Sequence, residues 1–262
     1  MMNKTTMLRF LNSLNKLEGK KKEYRSKSKL PLYLNDVLIG LLLSDGHLER
    51  TSPTSAVRLS VSFGAKHAAY LHYLYDLFEP YTNTGPAFIS VNNKKTKTSH
   101  EVLKFKTVSL PQLTYYHQLF YEINSQGKLI KIVPHNIVEL MSPIVLAHLI
   151  MGDGNLKLPD EIIRIYTNSF TKEEVELLVL AITKKLNILS KVAHDRNDQN
   201  MITISKSQLP LVRELTKTHM HPYMYYKLGL ESVNLAFLDL KNRPELSQFS
   251  SDCYEYKDSF DK

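Results

Sequence analysis

Leu38-Ile39-Gly40-Leu41-Leu42-Leu43-Ser44-Asp45-Gly46 returns in altered form as Leu146-Ala147-His148-Leu149-Ile150-Met151-Gly152-Asp153-Gly154. Each stretch is a run of apolar and small residues that stops at Asp-Gly. One Asp-Gly pair is an ordinary turn signal. Its return after a second, matching apolar run indicates two copies of one structural unit.

Other matches keep the same order along the chain and extend this repeat. They are Ser62-Phe63 with Ser169-Phe170, Gln112-Leu113 with Gln208-Leu209, and Lys131 with Lys227. The distance along the chain between matching residues becomes shorter after the polar segment at 92–100 of the first copy. A shorter loop in the second copy accounts for this change. The repeat predicts a first unit at 31–135 and a second at 136–240, between an N-terminal extension at 1–30 and a polar tail at 241–262.

Periodicity predicts the same elements in both units. A helix at about 36–45 or 143–152 precedes a strand in which apolar and polar residues alternate, as at 57–63 and 163–168. A helix with apolar residues at helical spacing follows, then two strands joined by polar loops and a closing helix near 110–123 or 207–218. The pattern predicts an α+β fold of two αββαββα-like units with antiparallel sheets.

The ends of the two Asp-Gly helices can be predicted from capping residues. Asn35 or Asp36 is a candidate N-cap of the first helix, and Ser142 before Pro143 is one for the second. Gly46 and Gly154 stand where a left-handed C-terminal residue is expected. Each helix therefore delivers a carboxylate, Asp45 or Asp153, at its C-terminal end.

Close packing of these two helices would bring both carboxylates together. The small residues that would allow it are Gly40, Ser44, Ala147 and Gly152. The macrodipole disfavours an anion at a helix C-terminus, and a divalent cation between two such ends removes that difficulty. Two carboxylates on Mg²⁺ are typical of a phosphodiesterase centre. An aspartic protease also pairs two Asp, but the helical context argues against that class.

Composition excludes several classes of protein. The 43% apolar content is enough for a core, and the longest apolar runs reach about half the ~20 residues of a membrane span. The single Cys253 excludes an intramolecular disulfide framework or a Cys-cluster zinc site. Residues 1–30 hold nine Lys/Arg against two Glu, which accounts for most of the net charge of +8. This segment is interpreted equally well as a targeting segment, a DNA-contacting arm or a disordered leader.

The two motifs resemble those of the LAGLIDADG homing endonucleases of the single-chain type, which fungal mitochondrial group I introns encode. The segment Ser169-Phe170-Thr171-Lys172-Glu173-Glu174-Val175 is also similar to the family pattern. The resemblance covers about 31–230. His148 stands where the first motif has Gly40, and Leu43 and Met151 stand where the consensus has Asp, while both metal-binding Asp positions are intact.

The resemblance implies a fold, a site and a function. It implies two units related by a pseudo-twofold axis, motif helices at their interface, and sheets that form a DNA-binding saddle. It implies that Asp45 and Asp153, with Ser44 and Gly152 beside them, hold Mg²⁺, for which Mn²⁺ substitutes. Lys131 and Lys227 would lie in the solvent pocket beside the metal and assist catalysis.

The polar faces of the alternating strands and the polar loops are the predicted contacts to double-stranded DNA with a long specific site. The candidates are Arg50, Arg58, Ser60, Ser62, Lys94, Lys95, Lys97, Lys104, Lys106, Lys157, Arg164, Tyr166, Asn168, Arg196, Thr203, Ser205 and Lys206. The implied enzyme is a monomer of the mitochondrial matrix with internal pseudo-twofold symmetry and no membrane partner. Two alternatives stay open: a maturase that assists splicing of its own group I intron RNA, and a DNA-binding regulator without catalysis.

Overall fold

The computed structural model describes residues 18–52, 54–93, 98–194 and 199–232. A helix covers residues 18–26 (α1). The first repeat then consists of α2 (Leu32–Leu42), β1 (His47–Glu49), β2 (Arg58–Gly64), α3 (Ala68–Phe78), β3 (Ala87–Asn93), β4 (Thr98–Lys106) and α4 (Pro111–Phe120). A hairpin of β5 (Tyr121–Ile123) and β6 (Leu129–Lys131) and a short helix α5 (Ile137–Leu140) lead out of it.

The second repeat has the same order of elements. It consists of α6 (Pro143–Asp153), β7 (Gly154–Lys157), β8 (Ile162–Tyr166), α7 (Lys172–Leu186), β9 (Ser190–His194), β10 (Asn200–Ile204) and α8 (Leu209–Thr216). The two sheets have matching orders, β1-β2-β4-β3 and β7-β8-β10-β9, with antiparallel pairing throughout. The predicted α+β class and the αββαββα pattern of both units are confirmed.

Alternation along the second strand of each sheet decides which face is covered. Leu59, Val61 and Phe63 of β2 are buried, as are Ile163 and Ile165 of β8. Helices α3 and α7 pack on these apolar faces and bury their own apolar stripes. The opposite face of each sheet carries the polar residues of the alternation, so each unit has one helical side and one polar side.

Helices α2 and α6 pack against each other at the centre of the molecule, and both are almost entirely buried. Small residues permit this contact. A Cβ on Gly40 would lie 2.6 Å from the Cβ of His148 and 2.7 Å from the Val145 main-chain oxygen. A Cβ on Gly152 would lie 2.5 Å from the Ser44 Oγ. The two helix axes therefore approach more closely than larger side chains would allow.

One predicted cap is correct and the other is wrong. The Ser142 Oγ accepts a hydrogen bond from the Val145 N–H at 3.2 Å, as predicted for the N-cap of α6. Helix α2 instead begins at Leu32 after Pro31, so Asn35 and Asp36 lie inside it. Asp36 has a different role, because its Oδ2 accepts a hydrogen bond from the Ser142 Oγ at 2.7 Å. This hydrogen bond joins the first half of α2 to the start of α6.

The glycines after the two aspartates do not adopt the expected left-handed conformation. Gly154 is extended, with φ −80° and ψ 151°, and among the described glycines positive φ occurs at Gly127 and Gly229. Steric space explains the glycines instead. A Cβ on Gly46 would lie 2.8 Å from the Leu41 main-chain oxygen, and one on Gly154 would lie 2.6 Å from that of Ile150.

His148 is accommodated within the helix interface rather than at its edge. The side chain is fully buried, and its Nδ1 lies 3.2 Å from the Tyr70 Oη. Its ring lies parallel to that of Tyr73, with centroids 6.3 Å apart. Burial, with a further contribution from His219, lowers the pKa of His148 to about 3, so the imidazole is neutral in the folded protein.

Within the described ranges, the helices are too short or too polar to cross a membrane.

Replacing Gly40 by Ala is expected to lower the free energy of unfolding by about 1–3 kcal/mol, because the new methyl group meets a main-chain oxygen that cannot move aside. The loss is expected although Ala favours helix over Gly by about 1 kcal/mol. Gly19→Ala in α1 is the control, since a Cβ there meets nothing within 4 Å. Urea unfolding measures both variants, and equal shifts would contradict close packing at Gly40.

The stability of the protein is expected to fall as the pH falls, because of His148. The unfolded side chain takes up a proton below a pKa of about 6.5, whereas the folded one stays neutral down to about 3, so acid favours unfolding. Between about pH 7.5 and about pH 5, the wild type should lose about 2 kcal/mol more than His148→Leu. Urea unfolding at the two pH values tests this, and parallel losses would contradict it.

Candidate active site and nucleic-acid interface

Asp45 and Asp153 meet where the motif helices end. Asp45 lies in the turn after α2, and Asp153 is the last residue of α6. The gap between the two chain segments is narrow, since a Cβ on Gly152 would lie 3.1 Å from the Asp45 Oδ2. The sequence repeat and the close helix packing together place the predicted carboxylate pair at one point.

The electrostatics of the pair reflect this crowding. Burial, followed by the negative charge of Asp45, raises the pKa of Asp153 to about 7. Burial also raises the pKa of Asp45, although Lys227 and Lys131 oppose the shift. Part of Asp45 is open to solvent, so the pair lies in a recess that reaches the surface. Both carboxyl groups therefore release their protons less readily than a free aspartate does.

Lys131 and Lys227 lie on either side of the pair in equivalent positions. The Lys131 Nζ, at the end of β6, donates to the main-chain oxygens of Ser44 at 2.9 Å and Gly46 at 2.8 Å. The Lys227 Nζ lies in a 3-10 helix over Pro222–Leu228 and donates to the main-chain oxygens of Met151 at 2.6 Å and Gly152 at 2.7 Å. The Lys131 ammonium thus binds carbonyl groups of the turn after α2, and the Lys227 ammonium binds those in the last turn of α6.

Both lysines are perturbed in the same way. Burial lowers the pKa of Lys131 and of Lys227 to about 8 in each case, while the two aspartates oppose the shift. Because each side chain is surrounded by protein and faces two carbonyl oxygens, it is held in place rather than extended into solvent. The two ammonium groups beside the two carboxylates offset part of the repulsion between the negative charges.

The donor set of the recess suits a hard divalent cation. Two carboxylates converge and supply oxygen ligands of the kind that Mg²⁺ prefers. No group of three or more His, Cys, Asp or Glu side chains that could hold a metal occurs in the part of the chain that the structure describes. An ion held here would therefore take most of its ligands from water and substrate, as Mg²⁺ commonly does.

The polar face of the first sheet is defined by its register. Across the strands, Ser60 pairs with Lys106 and Ser62 with Lys104, so these side chains share the face opposite the core. Arg58 lies on the same face, opposite Glu49. Ser60 is only 6% exposed, so this predicted contact offers almost no surface. Arg50 follows β1 and is half-buried.

The polar face of the second sheet contains an unbroken polar row. Asn155, Arg164, Thr203 and Lys191 lie side by side, one on each strand. Tyr166 and Lys157 lie on the same face beside this row, while Asn168 and Ser205 are exposed just beyond the strand ends. Sequence patterns do not reveal Asn155 and Lys191, because β7 is too short to show alternation and Lys191 follows a loop.

Several predicted contact residues hold acidic partners on their own unit. Glu49 Oε1 lies 2.7 Å from the Lys106 Nζ and 3.4 Å from the Arg58 Nε, and these contacts hold the pKa of Glu49 below its usual range although burial opposes them. Lys157 pairs with Asp160, and Lys206 pairs with Glu161. To bind a phosphate, each of these cations would have to leave its carboxylate partner.

Some predicted contacts lie outside the described residues. They are Lys94, Lys95, Lys97 and Arg196. Residues 1–17 of the N-terminal extension and the predicted tail at 241–262 also lie outside the described residues.

Comparison with known proteins agrees with these features. A model of the LAGLIDADG DNA endonuclease family matches residues 35–212. The cytochrome b mRNA maturase bI2 of Saccharomyces cerevisiae is 29% identical over 206 residues, which cover 76% of this chain and 48% of that protein. The chain thus spans about half the length of that maturase. The DNA endonuclease I-ChuI of Chlamydomonas applanata is 27% identical over 204 residues, which cover 74% of this chain and 93% of that protein.

The fold is also found in a solved structure. The homing endonuclease I-WcaI, bound to its DNA recognition sequence, superposes with a TM-score of 0.71 over 81% of this chain and 92% of that chain, at 23% identity. The family match spans more than half of the sequence and includes both Asp-Gly motifs. The chain therefore belongs to the LAGLIDADG DNA endonuclease family.

Proposed function

We propose that this protein is a site-specific endonuclease that cuts both strands of double-stranded DNA with the help of Mg²⁺. The observation that carries the proposal is the convergence of Asp45 and Asp153 between two equivalently placed lysines. A DNA duplex presents two phosphates of opposite strands around a local twofold axis. Two units that each bring one carboxylate and one lysine to a shared centre match that symmetry.

Asp45 and Asp153 would hold the metal, with main-chain oxygens of Ser44 and Gly152 beside them. When bound, Mg²⁺ supplies a Lewis acid that stabilises charge on the phosphate oxygens and lowers the pKa of water. Both carboxyl groups would be ionised when they hold the ion. Both carbonyls already accept hydrogen bonds from the lysines, which fixes their direction before substrate arrives.

Lys131 and Lys227 would stabilise the negative charge that develops on the phosphate during hydrolysis. Their positions are fixed by two carbonyl oxygens each, so little reorganisation is needed when the charge appears. Their lowered pKa values, about 8, also allow proton exchange with water near neutral pH. Mn²⁺, which accepts similar oxygen ligands, is expected to replace Mg²⁺.

The polar faces of the two sheets would bind the major groove on both sides of the cleavage site. The polar row of the second sheet and the basic residues of the first provide donors for bases and for phosphates. We further propose that one chain, with units at 31–135 and 136–240, acts as a monomer with internal pseudo-twofold symmetry. The relatives' names link the family to cytochrome b mRNA, which supports a mitochondrial, intron-encoded origin.

A second function, assistance in splicing of an intron RNA, is favoured by the names of the relatives. Two of them are called cytochrome b mRNA maturases. Assistance in splicing would not need the carboxylate pair, because a protein of this kind helps the intron RNA to fold and hydrolyses nothing. The two functions can therefore be separated by the same variants that test cleavage.

Replacing Asp45 or Asp153 by Asn is expected to lower the cleavage rate by at least about 10³-fold, because a neutral amide cannot hold the divalent cation. DNA binding should persist, since the sheet faces are unchanged. Cleavage of a plasmid that carries the uninterrupted host sequence, with Mg²⁺ or EDTA, measures the first effect, and gel-shift titration measures the second.

Asp76→Asn, at an exposed position of α3, is the matched control and should cleave like the wild type. Cleavage that survives Asp153→Asn would overturn the assigned site. Loss of cleavage with intact splicing of the intron RNA would show that the same chain also serves as a maturase by a separate mechanism.

Replacing Lys131 or Lys227 by Met is expected to slow cleavage about a hundredfold with little change in DNA affinity, because a preorganised positive charge acts mainly on the transition state. Single-turnover rates with saturating protein measure the effect. Lys128→Met in the same hairpin, where the side chain is exposed, is the control for Lys131. Equal rates for Lys128→Met and Lys131→Met would contradict the proposed role.

A further inference from the structure

The outer edge of the first sheet carries apolar residues on its polar side. Register places Ala87 opposite Lys104, Ile89 opposite Val102, and Val91 opposite His100, so all of these side chains share one face. Ile89 is 40% exposed and Val91 is 37% exposed, and helix α3 packs on the opposite face of the sheet. The apolar strip formed by Ile89, Val91 and Val102 is continuous with the predicted contacts Ser62 and Lys104.

The described strand pairing of the second sheet ends before the row that corresponds to Ile89 and Val102. Its outer strand β9 presents Lys191, which continues the polar row of Asn155, Arg164 and Thr203. The two sheets have the same strand order and the same relation to their motif helices. The apolar strip thus extends the first sheet beyond the rows that the described part of the second sheet matches.

The major groove offers one apolar group that such a strip can contact. The groups that identify the other bases there are hydrogen-bond donors and acceptors, whereas thymine presents a 5-methyl group. A donor or acceptor placed against Ile89 would lose water and gain no partner, at a cost in binding. Thymine is thus the base whose edge suits this part of the surface.

We propose that Ile89, Val91 and Val102 contact thymine methyl groups at the outer end of the half-site that the first unit binds. The outer position follows from the sheet order, because β3 is the strand farthest from β1, and β1 directly follows Asp45. This inference rests on the proposed function of DNA cleavage at a specific site. It assigns these methyl contacts to the half-site that the first unit binds.

The test replaces thymine by uracil, which removes the methyl group and leaves base pairing intact. The probe is the duplex that the wild-type protein selects from a randomised library, synthesised with uracil in one half-site or in the other. Uracil in the half-site of the first unit should weaken binding about three- to fourfold for each methyl group that the strip contacts. Quantitative gel-shift titration gives the dissociation constants.

A double variant assigns the effect to the strip. In Ile89→Ser with Val91→Ser, the discrimination between thymine and uracil should fall sharply, because serine has no methyl group to contact that of thymine. Phe88→Ser is the matched control, because Phe88 is 58% exposed on the same strand but faces the opposite side, next to Leu103. This control should discriminate against uracil like the wild type.

Three results would overturn the inference. Equal affinity for thymine and uracil in both half-sites would do so, as would an effect of uracil that persists in the double variant, and in either case DNA cleavage itself would stand. A concentration-dependent dimer in sedimentation, abolished in the double variant, would show that the strip instead joins two copies of the chain. Failure of the wild type to select any DNA sequence would overturn the proposed function and this inference with it.

Discussion

The close contact between α2 and α6 is the constraint on which the rest of the molecule depends. Gly40 faces His148 and Val145, and Gly152 faces Ser44, at distances that leave no room for another carbon atom. This contact joins the two repeats into one body and sets the distance between the helix ends. Because Asp153 ends α6 and Asp45 lies in the turn just after α2, the same packing that forms the core also determines the geometry of the carboxylate pair.

The geometry creates an electrostatic problem at that point. Two carboxylates meet at the negative ends of two helices, in a recess where burial raises the pKa of both groups. Lys131 and Lys227 reduce the free-energy cost of placing two carboxylates there, since each donates to carbonyl groups at or just after the end of one helix. The two lysines do not fully offset the effect of burial and of the like charge, because the pKa of Asp153 is still about 7. A divalent cation would complete it, so the charge distribution of the recess favours metal binding.

Much of this arrangement can be predicted from the sequence, because it depends on local signals that occur twice. The repeat of Asp-Gly, the alternation in β2 and β8, and the N-cap at Ser142 indicate the fold class and the site together. Contacts between segments that lie far apart in the sequence are harder to predict. Sequence patterns misplace the start of α2 because Asp36 resembles a cap, whereas its carboxylate binds Ser142 across the helix pair. They also identify Gly46 and Gly154, but the reason for these glycines is steric space and not backbone conformation.

The two repeats match closely at the centre and differ at the periphery, and both facts follow from the ligand that we propose. The reacting phosphates of the two strands are chemically identical, so each unit needs the same aspartate and the same lysine in the same place. The bases beyond them differ between the two half-sites, so the outer strands are free to diverge, as β3 and β9 have done. A twofold-symmetric homodimer could not recognise two different half-sites in this way, because both of its subunits would have the same sequence. Joining the two units in one chain allows a symmetric catalytic centre to serve an asymmetric target.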